Sequence, residues 1–506
     1  MQGQKHFTDK VVTRFLLSER VPRHNFYRRL RELLDWQCLY QQTRGLYSHT
    51  GQPSLDPVMF FKLALVGRLE NISSDRHLVE HCALRLDILY FLGYEVDEKL
   101  PWHSTISRAR QLYPAAVFEH LFDQVFAQCV TAGLVAGATQ AIDSAPVKAS
   151  ASLESVRAKQ PQSSPVLALV GQTPPNAPPS VALPAAPRHH LRRVATRHAK
   201  HQLAVGSLGG HHPKARLLSN KTHASATGPE ARILVKPGKA RALNYLCSLA
   251  VDTAKGVISH IQADLADSRG SVHLPGLVAR MQARLTTNGL SLTEVVADAG
   301  YFNGFNYAFL EQRGIVPWIP VFGRYKAVVE GFTYEPALNA YRCPTGKLLP
   351  FRNYSTNLDG GWLKNYRAEY RDCQACALKP TCVPTATQKK LVRSPYDAAY
   401  QRAWQRQHSR AGQRMRRVRQ GTVEPVFGHL LPYYGLRRVG TKGRAAAHET
   451  MLLTAIAYNL KKLLKHQPKR ALSMALALLL ENQRLSSRLC NNWLSNSHAL
   501  FSYSLN

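Results

Sequence analysis

Residues 249–263, LAVDTAKGVISHIQA, read as an apolar strand, a tight turn at Lys255-Gly256 and a second strand. Related runs lie on either side of this hairpin. Residues 135–148, VAGATQAIDSAPVK, hold a strand of small residues that ends near Asp143. Residues 292–299, LTEVVADA, form a short strand that stops at Gly300, and a helix follows over 306–312. Residues 315–321, IVPWIPV, are a further strand. Strand pairs followed by helices predict an α/β core built on a mixed sheet.

The chain has 506 residues, enough for three or so domains. It carries 66 Lys+Arg against 32 Asp+Glu, a formal net charge of +34. So basic a surface makes an ordinary small-molecule enzyme a poor default and points to a polyanion, most often a nucleic-acid backbone. The N-terminus MQGQKHFTDKVVTRF has no apolar signal core. The longest apolar run, at 471–480, is half of the ~20 residues a membrane span needs and reads as a core helix. Nine scattered cysteines make no disulfide framework. The expectation is a soluble protein of a reducing cytosol, with no membrane partner.

Residues 1–125 read as helical. PVMFFKLALVGRL at 57–69 has a proline start and helical apolar spacing, and 75–94 continue in that style. HSTISRARQL at 103–112 offers Ser104 and Thr105 as caps and sets Arg108 and Arg110 on a short helix. Several short helices ending in a basic one fit either a helix-turn-helix-like DNA-binding module or a small bundle with a solvated basic face. Residues of about 158–232 are rich in Pro, His and Arg and read as a disordered or loosely ordered basic insertion. An Arg-rich stretch at about 402–420 precedes AHETMLLTAIAYNLKKLL at 447–464, which reads as an amphipathic helix.

In so acid-poor a chain three carboxylates stand out. Asp143 in QAIDSAP and Asp298 in EVVADAGY sit at expected strand ends, where α/β sheets place their chemistry. Glu424 in GTVEPVFGHL is one of two acids among sixteen Lys/Arg in 401–470, with Pro425 read as starting a helix behind it. Two Asp on neighbouring strands and a Glu on a helix could hold two Mg2+ (or Mn2+) ions about 3.5–4 Å apart for phosphodiester chemistry. The plainer readings are an Asx-turn or cap at each Asp and an ion pair from Glu424 to Arg419. Cys343 in YRCPTGK and Cys373, Cys376 and Cys382 in CQACALKPTC could supply four thiolates to a structural Zn2+, or be four reduced structural cysteines. Cys38, Cys82, Cys129, Cys247 and Cys490 read as lone buried residues.

These residues together resemble the bacterial insertion-sequence transposases of the DDE type, in particular the subgroup with a helical N-terminal domain and a Cys-bearing insert before the final Glu. The resemblance runs over most of the chain. It is carried by PSLDPVMFFKLALVGRLENISSDRHLVEHCALRLDILYFLG, LPWHSTISRAR, AIDSAPVKASAS, ARALNYLCSLAVDTAKGVI and VVADAGYFNGFN. The most specific part is RQGTVEPVFGHLLPYYGLRRVGTKGRAAAHETMLLTAIAYNLKKLL. It implies a ribonuclease-H-like mixed-sheet core in which Asp143, Asp298 and Glu424 are the catalytic, Mg2+-binding triad. It implies DNA contacts from Arg417, Arg419, Arg437, Arg438 and Arg444 near the Glu. A lysine common in the family after the Glu motif is replaced by Leu431.

The implied layout is a helical DNA-binding domain at 1–125, then the first part of the core at 126–330. A Cys-rich insertion follows at 331–400, the last part of the core at 401–470 and a helical tail at 471–506. The implied activity is metal-dependent cleavage at transposon ends and strand transfer into target DNA. The implied partners are double-stranded terminal repeats and target DNA, with a homodimer in the DNA complex. The implied location is the bacterial cytoplasm, at the nucleoid. A non-catalytic DNA-binding relative and a different metal-dependent nuclease on the same core are the alternatives.

Overall fold

The structure is a computed structural model that describes residues 15–47, 54–159, 219–220, 222–234, 242–267, 269–322, 326, 328–356 and 362–466. Most of the expected basic insertion, the tail at 471–506 and Cys490 lie outside the described residues.

The N-terminal region is helical as expected. Its centre is the helix Pro57–Leu69, which starts where the Asp56 side chain accepts the Met59 N–H at 3.0 Å and Pro57 fills a first-turn position. Nearly all of that helix is buried, so it is a core rod rather than a half-wet one. The helix His103–Leu112 does not use Ser104 or Thr105 as caps. Its first carbonyl acceptor is Trp102, which receives the Thr105 and Ile106 N–H groups. Both hydroxyl residues are therefore already inside the first turn. The 17-residue helix Ala115–Thr131 then leads into the sheet.

The main sheet is mixed. Strand β1 is Thr139–Lys148, β4 is Arg232–Leu234, β5 is Ala242–Asp252, β6 is Ile258–Leu265, β7 is Glu294–Ala297 and β8 is Val316–Trp318. β5 lies antiparallel to β1 on one side and to β6 and the short β4 on the other. β7 runs parallel to β1, and β8 parallel to β7. The spatial order is β6-β5-β1-β7-β8. The expected hairpin is present: Gly256, at φ +68°, turns the chain between β5 and β6. Asp252 at the end of β5 is fully buried and accepts from Gly137 N–H (2.8 Å), Ala254 N–H (3.0 Å) and Gln140 Nε2 (2.7 Å).

The short strands β2, Val156–Ala158, and β3, His223–Ser225, pair so that Ala158 faces His223. The insertion at 160–218 therefore leaves and rejoins the fold at one place, and the main sheet is not interrupted by it. Residues 331–400 carry a second sheet of their own: β9 Thr333–Glu335, β10 Ala340–Arg342, β11 Leu348–Thr356, β12 Trp362–Arg367 and β13 Lys390–Arg393, antiparallel throughout. Its small core is Tyr341, Leu349, Tyr366, Ala368 and Leu391.

Two helices depart from expectation. Pro425 does not start a helix; it lies inside the 24-residue helix Arg410–Tyr433, as does Pro432. A proline ring collides with the carbonyl four residues back. Those positions are Gly421 and Gly428, whose backbones have the latitude to yield. The second is Arg444–Lys465, expected to be amphipathic. Every residue from Thr450 to Leu460 is buried, because the helix packs against Pro57–Leu69, Ala115–Thr131 and β6 together. Thr450 and Thr454 tolerate this by donating to carbonyls four residues back, at 2.9 and 2.8 Å.

Glu449 on this helix is pushed up to about 7 by burial, with Arg110 pulling the other way. A carboxyl whose pKa rises on folding withdraws stability as pH climbs from its ordinary value through the folded one, here from 4.5 to about 7. Glu449→Gln is expected to flatten that slope and to be more stable than wild type at pH 8 by on the order of 1 kcal/mol. Urea titrations of both proteins at pH 4.5 and pH 8 check this.

Candidate active site

Asp143 and Asp298 are neighbours because of strand register. β1 and β7 pair in parallel from Thr139↔Glu294 to Ile142↔Ala297, and the two aspartates are the next residue on each strand. β7 ends there. Asp298 turns the chain by accepting the Gly300 N–H at 2.9 Å, so the expected capping role is real as well. β1 does not end there. It continues to Lys148, which puts Asp143 in mid-strand and not at a strand end.

This strand contains Pro146, which cannot donate to a ladder. The Lys148 N–H points away from β5, to the Arg437 carbonyl at 3.1 Å. Pro146 lies two residues earlier, so its missing N–H would point the same way, past the end of β7, where no strand needs it.

Glu424 reaches this corner from the Arg410–Tyr433 helix, which packs along β1. The link is Arg419. Its Nη1 donates to Asp143 Oδ2 at 3.1 Å and its Nη2 to Glu424 Oε1 at 2.9 Å. Arg419 is 13% exposed, Asp143 22% and Glu424 54%, so the bridge closes over the inner aspartate and leaves the glutamate at the surface. Burial, and then the charge of Asp298, push the Asp143 carboxyl up to about 6; the Ser144 N–H and Arg419 pull it down, and Glu424 adds to the rise. A half-buried acid raised by burial and by neighbouring carboxylates marks a functional corner more often than a structural one.

Two residues missed in the sequence complete the corner. The Tyr301 hydroxyl is buried against Ser144 Oγ, which also donates to Ser248 Oγ at 2.9 Å. Its phenol is held well above the ordinary range by burial. A Cβ on Gly270 would sit 2.9 Å from the Tyr301 ring, so the helix Gly270–Thr287 closes on the tyrosine from the other side. Tyr301 thus fixes the Asp298 turn against β1. Tyr301→Phe is expected to cost about 1 kcal/mol, the worth of one buried hydrogen bond, in urea titration. It should leave DNA affinity unchanged in a gel-shift assay.

The expected basic residues fall into two groups. Arg417 is exposed on the Glu424 helix, and Arg437 and Arg438 are exposed in the segment that binds the end of β1 through Lys148. Arg444 starts the next helix, where its backbone N–H donates to Glu230 at 2.7 Å. In the N-terminal region Arg108 is exposed, whereas Arg110 is held by both oxygens of Asp75 at 2.7 and 2.9 Å. Beside Asp298 opens a cleft of about 300 Å3 whose lining includes Trp318, Phe322, Arg406, Arg416 and Arg419. Arg406 and Arg416 carried no signal in the sequence beyond lying in an Arg-rich run.

Among the described residues no group of three or more His, Cys, Asp or Glu side chains is arranged to hold a metal ion. For the carboxylates the donor chemistry nonetheless fits. Asp143 and Glu424 already converge on one cation, the Arg419 guanidinium, and Asp298 is close enough to shift Asp143. Carboxylate oxygens of this kind suit Mg2+ or Mn2+.

All four cysteines of the Cys-rich segment line one cavity of about 40 Å3, although among the described residues no group is arranged to hold a metal ion, and two of the four make other contacts. Cys343 Sγ lies 3.1 Å from Thr345 Oγ1, and Cys373 Sγ accepts the Lys389 N–H at 3.5 Å; both sulfurs also pack on the aromatic core of the second sheet. Of the lone cysteines, Cys82, Cys129 and Cys247 are buried as expected, and Cys38 is partly exposed.

Comparison with known families gives two matches. Residues 15–112 match a family described as "Transposase domain (DUF772)", and residues 342–464 match one described as "Transposase DDE domain". The two matches support an insertion-sequence transposase of the DDE type, as the sequence motifs led one to expect. The second match contains Glu424 and Arg419, while Asp143 and Asp298 lie outside both matched segments. No curated protein and no solved structure matches the chain. No helix among the described residues is long and apolar enough to cross a membrane.

Proposed function

We propose that the chain cleaves DNA at transposon ends and joins the freed 3′-hydroxyl to target DNA, with Asp143, Asp298 and Glu424 as its catalytic carboxylates. The observation that carries the reading is the meeting of all three acids at one corner, two by strand register and one through Arg419. The strand order β6-β5-β1-β7-β8, three antiparallel strands followed by two parallel ones, supports a ribonuclease-H-like core. In this reading Asp143, Asp298 and Glu424 hold divalent Mg2+ or Mn2+, which would activate the attacking oxygen and stabilise the leaving one.

The chain's own residues do the rest. Tyr301 and Ser144 keep the Asp298 turn fixed on β1. Arg416, in the cleft wall, and Arg417, Arg437 and Arg438, exposed nearby, draw the phosphate backbone toward the acids. A homodimer holding two transposon ends is part of the same reading, as is a DNA-contacting role for the N-terminal helices through Arg108.

Glu424→Gln tests it against the non-catalytic alternative. Glu424 is half exposed, so the change should leave the fold intact. The expected result is unchanged binding to a terminal-repeat duplex in a gel shift and loss of nicking. Nicking that survives Glu424→Gln would remove Glu424 from the triad.

A further inference from the structure

Among the described residues Arg419 is the cation shared by Asp143 and Glu424, and its guanidinium, 13% exposed, lies below the surface. Its two terminal nitrogens each take one carboxylate, the fork geometry that makes arginine bonds strong and directional. A divalent ion bound by the same acids would compete with Arg419 for Asp143 Oδ2 and Glu424 Oε1. A guanidinium and a divalent ion at contact distance would also repel each other. The two states oppose each other.

We infer that Arg419 is a built-in place-holder: it neutralises and assembles the acid corner without metal, and must leave for a metal ion to enter. The inference rests on the metal-binding reading above and assigns Arg419 a role beyond DNA contact. The neighbouring cleft offers a destination for the released side chain. Arg419 and Arg416 both line the cleft beside Asp298, where a phosphate drawn in by the neighbouring arginines would receive a released guanidinium. Phosphate arrival and metal entry then favour each other, because each favours the same released position of one side chain. The site stays closed to metal until DNA is present, which limits cutting by free enzyme.

The test uses the full chain without DNA, with Mn2+ as the probe and free Mn2+ counted by electron paramagnetic resonance. Arg419→Gln removes the competing charge and is expected to bind Mn2+ roughly tenfold more tightly than wild type. In EDTA the same variant should melt at a lower temperature than wild type, since Asp143 and Glu424 lose their shared cation. Arg419→Lys, whose compact ammonium cannot span both carboxylates, should fall between the two; it also serves if Arg419→Gln does not fold. Asp143→Asn identifies the site by abolishing the tight binding.

An unchanged or weaker Mn2+ affinity in Arg419→Gln, with binding still dependent on Asp143, overturns the place-holder role and leaves the proposed function standing. The same holds for Arg419→Lys matching wild type. Absence of any Asp143-dependent Mn2+ binding overturns the metal reading itself.

Discussion

Asp143→Asn is expected to lower single-turnover cleavage by about a thousandfold or more, a barrier increase of roughly 4 kcal/mol, while DNA affinity stays within a few-fold of wild type. The substitution keeps the shape and removes the negative charge, and it leaves one acceptor oxygen where the carboxylate offers two, to the Ser144 N–H and to Arg419. That charge is held away from water and raised by the neighbouring Asp298. Without metal the lost charge is also a relief: the folded carboxyl titrates at about 6 against an ordinary 3.8, so ionised Asp143 opposes folding at neutral pH. The variant should therefore melt no lower than wild type in EDTA at pH 7. A dead enzyme that is as stable as its parent separates chemistry from folding. Cleavage within tenfold of wild type would instead show that Asp143 serves the sheet alone.

The largest structural effect is expected at Asn459. This fully buried side chain accepts the Ile258 N–H and donates to the Ile258 carbonyl, both at 2.9 Å. It pairs with the start of β6 as a neighbouring strand would, and so fastens the Arg444–Lys465 helix to the sheet edge. Asn459→Ala strands one buried donor and one buried acceptor and leaves a cavity. Each orphaned group costs about 1–3 kcal/mol, so a loss of about 3 kcal/mol is expected in urea titration. A loss below about 1 kcal/mol would mean the helix is held by apolar packing alone.

Asn459 also shows what the sequence could and could not tell. It lies in AYNLKKLL, the end of the run that helped to place the chain in its family, yet nothing in that run said it would bind a strand 201 residues away. The β5–β6 hairpin was legible because its apolar runs and glycine turn are local. Asp298 was legible for the same reason, since a strand stopping at a glycine needs few neighbours to interpret. Asp143 was placed on the correct strand but at the wrong point along it. The strand runs on through Pro146, which is tolerated there because β7 does not extend beyond Ala297.

Pro425 was likewise placed at the wrong point along its helix. A proline starts helices more often than it interrupts them, and the glycine four residues back is a compensation visible only once the helix is known. The Arg444–Lys465 helix looked amphipathic because its charges gather at its ends and its threonines look exposed. Burial on three sides is a tertiary fact that periodicity does not carry. Arg419 was read as a phosphate contact or as a partner of Glu424. Its second bond, to Asp143 on a strand 276 residues earlier, depends on the whole fold.

The most direct test of the account is cleavage of an end-labelled duplex carrying the element's own terminal inverted repeat, with Mg2+ and with EDTA, by wild type and Asp143→Asn side by side. The account predicts nicking at the repeat boundary by wild type in Mg2+ only, and none by the variant. Tight binding by wild type with no cut under Mg2+ or Mn2+ would contradict it, leaving a DNA-binding protein whose three acids are only charges on a sheet.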